Sequence, residues 1–176
     1  MIKKGYVEGM VQSVVRSQIR NMAAAALLAA LAVLLSPLSF PVGASRCFPF
    51  QHAINAVAGV TLGPLWAMGA AFVSSLVRNF MGTGTLLAFP GSMFGALAVG
   101  CAAKMLPSSR RLWAAFAEPL ATATIGAGVA SLIASTAGGR GAMFYLLALA
   151  FASSSAPGAA IGYVVLRCLE RRKRPA

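Results

Sequence analysis

Aspartate is absent from this chain, glutamate occurs three times and histidine once. These shortages exclude most catalytic chemistry. A Ser-His-Asp triad cannot be assembled; only a glutamate variant built on His52 stays formally open. One histidine without clustered carboxylates does not make a metal site. No G-x-x-x-x-G-K-[ST] run occurs, so the chain cannot itself be a P-loop ATPase. Cys47, Cys101 and Cys168 form no C-x-x-C pair and are odd in number, which argues against a disulfide framework or structural zinc. No cofactor, no metal and no enzymatic activity are expected from this inventory.

What is abundant is apolar. The chain is 59% hydrophobic and only 10% charged, whereas about a quarter of a soluble domain is charged. A polytopic, all-α integral membrane protein is the natural reading. At about 20 residues per span, five or six helices consume all 176 residues. One membrane domain, 1–176, is therefore expected, with no room for a soluble module. The net charge of +12 flanks the apolar segments as topology signals do. Nucleic acid is not an expected partner, because no stripe of charge tracks a phosphate backbone.

Residues 1–20 form a basic, weakly amphipathic segment. Spans are predicted at 21–38, 51–62, 65–80, 86–106, 112–137 and 142–169, followed by a basic tail, 170–176. Pro37 and Pro41 close the first span. Gly63-Pro64 is a turn signal. Residues 81–85 read as a Gly-rich loop, 107–111 as a basic loop and Gly138-Gly139-Arg140-Gly141 as a turn. Pro119 starts or bends the fifth span. The second span, at roughly 12 residues, rises only ~18 Å. That is less than the ~30 Å hydrocarbon core, so its neighbours must shelter it or residues 48–50 must extend it.

Six spans put both termini on one side. That side holds 12 of the 15 basic residues; the other holds only Arg46, Arg78 and Arg140. The positive-inside rule then places both termini in the cytoplasm of a cell-membrane, multi-pass protein. An alternative is a cleaved signal peptide, since 22–35 is apolar and Val42-Gly43-Ala44 resembles a small-residue cleavage site. Five spans would then remain.

In this topology the unusual polar residues fall near one outer level. Gln51, His52 and Asn55 open the second span, with His52 and Asn55 on one helical face. Arg78 and Asn79 end the third span, Thr83 and Thr85 lie in the loop beyond, and Phe89 and Tyr145 begin later spans. Ionisable groups inside a bilayer usually mark a substrate or ion path. Together these residues make candidates for a small-molecule pocket with aromatic walls. Plainer readings stand beside each. Arg78 can snorkel to headgroups, and His52 can bond backbone. Asn55 can join helices as polar glue, and Thr83 and Thr85 can shape a turn. Phe48, Phe50, Phe89 and Tyr145 can form an interfacial belt. Glu118 is the only acid in a predicted span and is placed nearer the cytoplasmic side than this cluster. It is either a helix-start residue favoured by the dipole or a buried partner for a basic group. Ala25 and Ala29, with Ala26 and Ala30 alongside, have the small-residue spacing of close helix approach. They serve either internal packing or docking of another membrane subunit.

The runs Gln51-His52-Ala53-Ile54-Asn55, Gly63-Pro64, Leu76-Val77-Arg78-Asn79 and Gly82-Thr83-Gly84-Thr85-Leu86-Leu87-Ala88-Phe89-Pro90-Gly91-Ser92 resemble the ThiW family. These are substrate-binding (S) subunits of energy-coupling factor (ECF) vitamin transporters. The likeness is most specific over 48–100. It implies a six-helix S-component bundle and an outward-facing site for a thiamine precursor, hydroxyethylthiazole or a similar thiazole. The site would be built from His52, Asn55, Arg78, Asn79, Thr83, Thr85, Phe89 and Tyr145. It also implies a transmembrane coupling subunit, docked through Ala25 and Ala29, and two cytoplasmic ATPase subunits. The Glu118-Pro119 start of the fifth span departs from the glycine-rich start expected of the family. A stand-alone secondary transporter, or an S subunit for another vitamin, is the alternative.

Overall fold

The computed structural model describes residues 2–42, 45–136 and 143–173. Six helical units follow one another, with a small hairpin between the first two. Helix α1 runs Ile2–Leu34. The hairpin pairs β1 (Phe40–Val42) antiparallel with β2 (Ser45–Cys47), Pro41 facing Arg46. Helices α2 (Pro49–Leu62), α3 (Pro64–Phe80) and α4 (Ala88–Met105) come next. The fifth unit is composite: a 3₁₀ segment Ser108–Phe116, α5 (Ala117–Ala121), a π turn Thr122–Gly126 and α6 (Ala127–Thr136). Helix α7 (Met143–Lys173) closes the chain.

Three of these units are long and apolar enough to cross a bilayer: Glu8–Leu34, Ser108–Thr136 and Met143–Arg172. The other three are shorter. Helix α2 is the shortest, at 14 residues or ~21 Å. Its sequence explains how it survives. Ten of its 14 residues are buried, and α1, α3, α4 and α7 all pack on it. It is sheltered as its length requires. Gly63 ends it at φ +87°, a backbone state open mainly to glycine, and Pro64 opens α3 in the first-turn position where a missing N–H costs nothing.

The core is made of small residues. Ala56, Val60, Val99, Ala103, Ala114, Ala115 and Leu166 form one cluster, and Ala58, Ala67, Ala71 and Ala96 another. Large apolar side chains point outward instead, among them Leu27, Leu65, Leu132 and Leu149. This inversion suits a chain whose exterior meets lipid, where helices associate by close packing of small residues.

The structure adds detail to four expectations. The basic segment 1–20 is not separate from the first span: α1 is helical from Ile2 and ends at Leu34, three residues before Pro37. The loop expected between the first two spans contains the hairpin. The basic loop at 107–111 is already 3₁₀ helix from Ser108. Ala25 and Ala29 are buried within this chain, clustered with Ala70 of α3. Ala26 and Ala30 are the exposed members of that stretch. The Gly-rich turn at 138–141 with Arg140, the cleavage-like Gly43-Ala44 and the end of the tail, 174–176, lie outside the described residues.

Candidate functional site

The first two turns of α2 carry Gln51, His52 and Asn55, all at least nine-tenths buried. Each requires a hydrogen-bond partner, since an unpaired buried polar group costs about 1–3 kcal/mol. The neighbouring helices supply them. Gln51 Nε2 donates to Ser74 Oγ on α3 (2.9 Å) and Ser92 Oγ on α4 (3.0 Å). Asn55 Nδ2 donates to the Ser92 carbonyl (3.2 Å), Ser92 Oγ (3.1 Å) and Glu118 Oε1 (3.3 Å). His52 Nδ1 lies 2.5 Å from Glu118 Oε1. Nδ1 and the carboxylate share this hydrogen bond, and Nε2 is the ring's remaining polar atom.

Glu118 is fully buried. Thr122, one turn on, shares its hydroxyl proton between the Gly91 carbonyl (3.1 Å) and Glu118 Oε1 (3.2 Å). Oε2 has no partner among the described residues. Space for the carboxylate comes from Gly95 on α4. A methyl there would stand 2.6 Å from Glu118 Oε1 and closer still to Thr122 Oγ1.

Glu118 therefore belongs to the cluster rather than lying below it. Arg111 Nη2 donates to the Val60 carbonyl near the far end of α2 (2.7 Å), and Glu118 meets His52 near the start. The 3₁₀ segment between them rises ~2.0 Å per residue, faster than an α-helix. Pro119 then sits in the first turn of α5, where its absent N–H is tolerated.

Arg78 closes the cluster from α3. Nη1 donates to Gln51 Oε1 (3.1 Å), Nη2 approaches the Thr83 carbonyl (3.5 Å), and the guanidinium lies 3.9 Å from the centroid of the Phe48 ring. It is 3% exposed, so it does not snorkel in this structure. The Gly-rich loop holds it in place. Gly82, at φ +70°, donates to the Asn79 carbonyl, and Thr83 N donates to the Arg78 carbonyl. This is a Schellman motif ending α3. Gly84 N and Thr83 Oγ1 add two more bonds to the Arg78 carbonyl.

These groups bound a cavity of about 310 Å³, at the small end of the range for ligand sites. His52, Arg78, Thr83 and Thr85 line it. Asn55 sits behind the wall, bonded to Ser92, which does line it. Asn79 is half-buried and not in the lining. Phe89 and Tyr145, expected as the aromatic wall, are also outside it. Phe89 packs edge-on against Phe72 at 5.8 Å, and Tyr145 is 73% exposed beside Phe144. Phe48 and Phe151 take their place. Ser92, which sequence reasoning set at this outer level, is in the lining, but Ser75 and Thr122 were passed over. Ser75 had one signal, spacing: it stands three residues before Arg78 on the same face of α3. Among the described residues no group of three or more His, Cys, Asp or Glu could hold a metal ion.

The arrangement can bind and orient a small polar molecule. No curated protein and no solved structure matches the chain. The sequence profile of ThiW, described as thiamine-precursor transporter protein, matches residues 22–172 of the 176. The chain belongs to the ThiW family of thiamine-precursor transporter proteins.

Proposed function

We propose that this chain is the membrane-embedded substrate-binding subunit of an ECF-type importer, capturing a thiazole-class thiamine precursor from outside. Six spans with both termini cytoplasmic would turn the 310 Å³ cavity outward. The observation that carries the reading is a buried polar cavity in a chain with no ATP-binding motif. Such a chain recognises a substrate but draws its driving force from elsewhere. A transmembrane coupling subunit and two cytoplasmic ATPases would supply it. Ala25 and Ala29 could meet the coupling subunit only after α1 and α3 separate, because Ala70 now covers them.

One observation favours a second reading. Glu118 is a buried acid with a vacant oxygen, and intramembrane acids serve proton relays. A stand-alone proton-coupled transporter would use it. Proteoliposomes separate the two. With this chain alone and an imposed proton gradient, the importer reading expects no concentrative uptake of radiolabelled hydroxyethylthiazole. Uptake should appear only when the coupling and ATPase subunits are co-reconstituted with ATP. Gradient-driven accumulation by the chain alone would refute the importer reading.

A further inference from the structure

Among the described residues no carboxylate stands in ion-pair contact with Arg78. An arginine stays protonated at any physiological pH, and a buried charge without a counterion is strongly disfavoured. The chain contains only three acids, Glu8, Glu118 and Glu170. Glu118 is engaged with His52, Asn55 and Thr122. Glu8 lies 26 residues below Leu34, where α1 ends beside the hairpin, a rise of about 39 Å. Glu170 lies 16 residues past Ser154, a cavity residue, or about 24 Å along α7. Among the described residues the guanidinium thus has no carboxylate partner.

The neutral contacts of Arg78 are also incomplete. Its Nε–H has no hydrogen-bond partner among the described residues, and neither does Ser75 Oγ. Both side chains are buried, 3% and 5% exposed, and both line the cavity. Three residues apart on α3, they present two unused donors on one face. Arg46 of the hairpin adds a second cation to the lining, and no acidic residue lines it.

We infer that the substrate carries an anionic oxygen group, a carboxylate or phosphate monoester, which Arg78 Nε and Ser75 Oγ bind. The inference rests on the cavity being the substrate site and narrows the thiazole class to its charged members. A charge-assisted hydrogen bond is roughly twice as strong as a neutral one. The phosphate monoester of hydroxyethylthiazole, or a methylthiazole carboxylate, should thus bind at least tenfold more tightly than neutral hydroxyethylthiazole, about 1.4 kcal/mol.

The test is calorimetric titration of the purified full chain with these three thiazoles at fixed chloride concentration, and with inorganic phosphate as a probe without a ring. The expected result is the tenfold preference, together with thermal stabilisation by inorganic phosphate. Arg78→Gln should reduce the preference to about onefold, and the milder Ser75→Ala should reduce it severalfold. Equal or tighter binding of the neutral thiazole to the wild-type chain would overturn the inference, whatever the variants do. If no thiazole binds while inorganic phosphate stabilises the wild type and not Arg78→Gln, the oxyanion site stands and the thiazole assignment falls.

Discussion

His52 and Glu118 should behave as one unit, and removing His52 alone should cost more than removing both. In His52→Ala the Glu118 carboxylate, fully buried, keeps only Asn55 Nδ2 at 3.3 Å and Thr122 Oγ1 at 3.2 Å. Breaking a buried pair from one side costs about 3–5 kcal/mol, because the remaining charge is uncompensated. For a chain of 150–250 residues each kcal/mol shifts Tm by about 2–4 °C, so the expected fall is roughly 6–20 °C. Glu118→Gln alone removes the charge but keeps an acceptor for His52, Asn55 and Thr122. It should cost about 1–2 kcal/mol, the difference between charged and neutral hydrogen bonds. The double variant has no stranded charge and should be more stable than His52→Ala by several degrees. The assay is a double-mutant cycle from thermal unfolding in one detergent, in which contacting residues show coupling of 0.5–3 kcal/mol. Strict additivity of the two single effects would refute the pairing.

Three further outcomes follow from the geometry. Gly95→Ala places a methyl against Thr122 and Glu118 and should cost about 1–3 kcal/mol by overpacking, read as a lower Tm with weakened ligand binding; unchanged stability would contradict the close approach. Phe48→Leu removes the ring under Arg78. It should cost about 0.5–2 kcal/mol, seen as a two- to thirtyfold loss of affinity for the tightest-binding thiazole. Tyr145→Ala, at an exposed position outside the cavity, should leave thiazole affinity within twofold in the same titration, and a tenfold loss would place the ligand elsewhere.

The parts of the site legible in the sequence were those that stand out against an apolar background. Gln51, His52 and Asn55 could be noticed because nothing near them is polar, and charge bias set Arg78 at their level. Glu118 was set below the cluster by its place early in the fifth span, whereas it meets His52 and Asn55 of α2. Ser75 and Thr122 gave little signal, since serine and threonine also stand exposed on a helix by bonding its own carbonyls, as Thr124 and Ser135 do here. The aromatics failed for a rotational reason. Depth along a span is readable from topology, but which way a side chain points around the axis depends on packing. Phe48 and Phe151 turn inward, while Phe89 and Tyr145 turn away. Packing also decided α1. The spacing of Ala25 and Ala29 marked a close helix contact, and the partner is α3 of the same chain.

The central claim is that the cavity between α2, α3, α4 and α7 holds the thiamine precursor. Equilibrium binding of radiolabelled hydroxyethylthiazole, and of its phosphate monoester, to the purified chain and to Ala150→Trp tests it most directly. Ala150 lines the cavity without making any of the polar contacts, so the indole would occupy the space and leave the network standing. Saturable binding at one site per wild-type chain, weakened at least tenfold in Ala150→Trp with Tm nearly unchanged, is the predicted result. Equal affinity in the two proteins would contradict it.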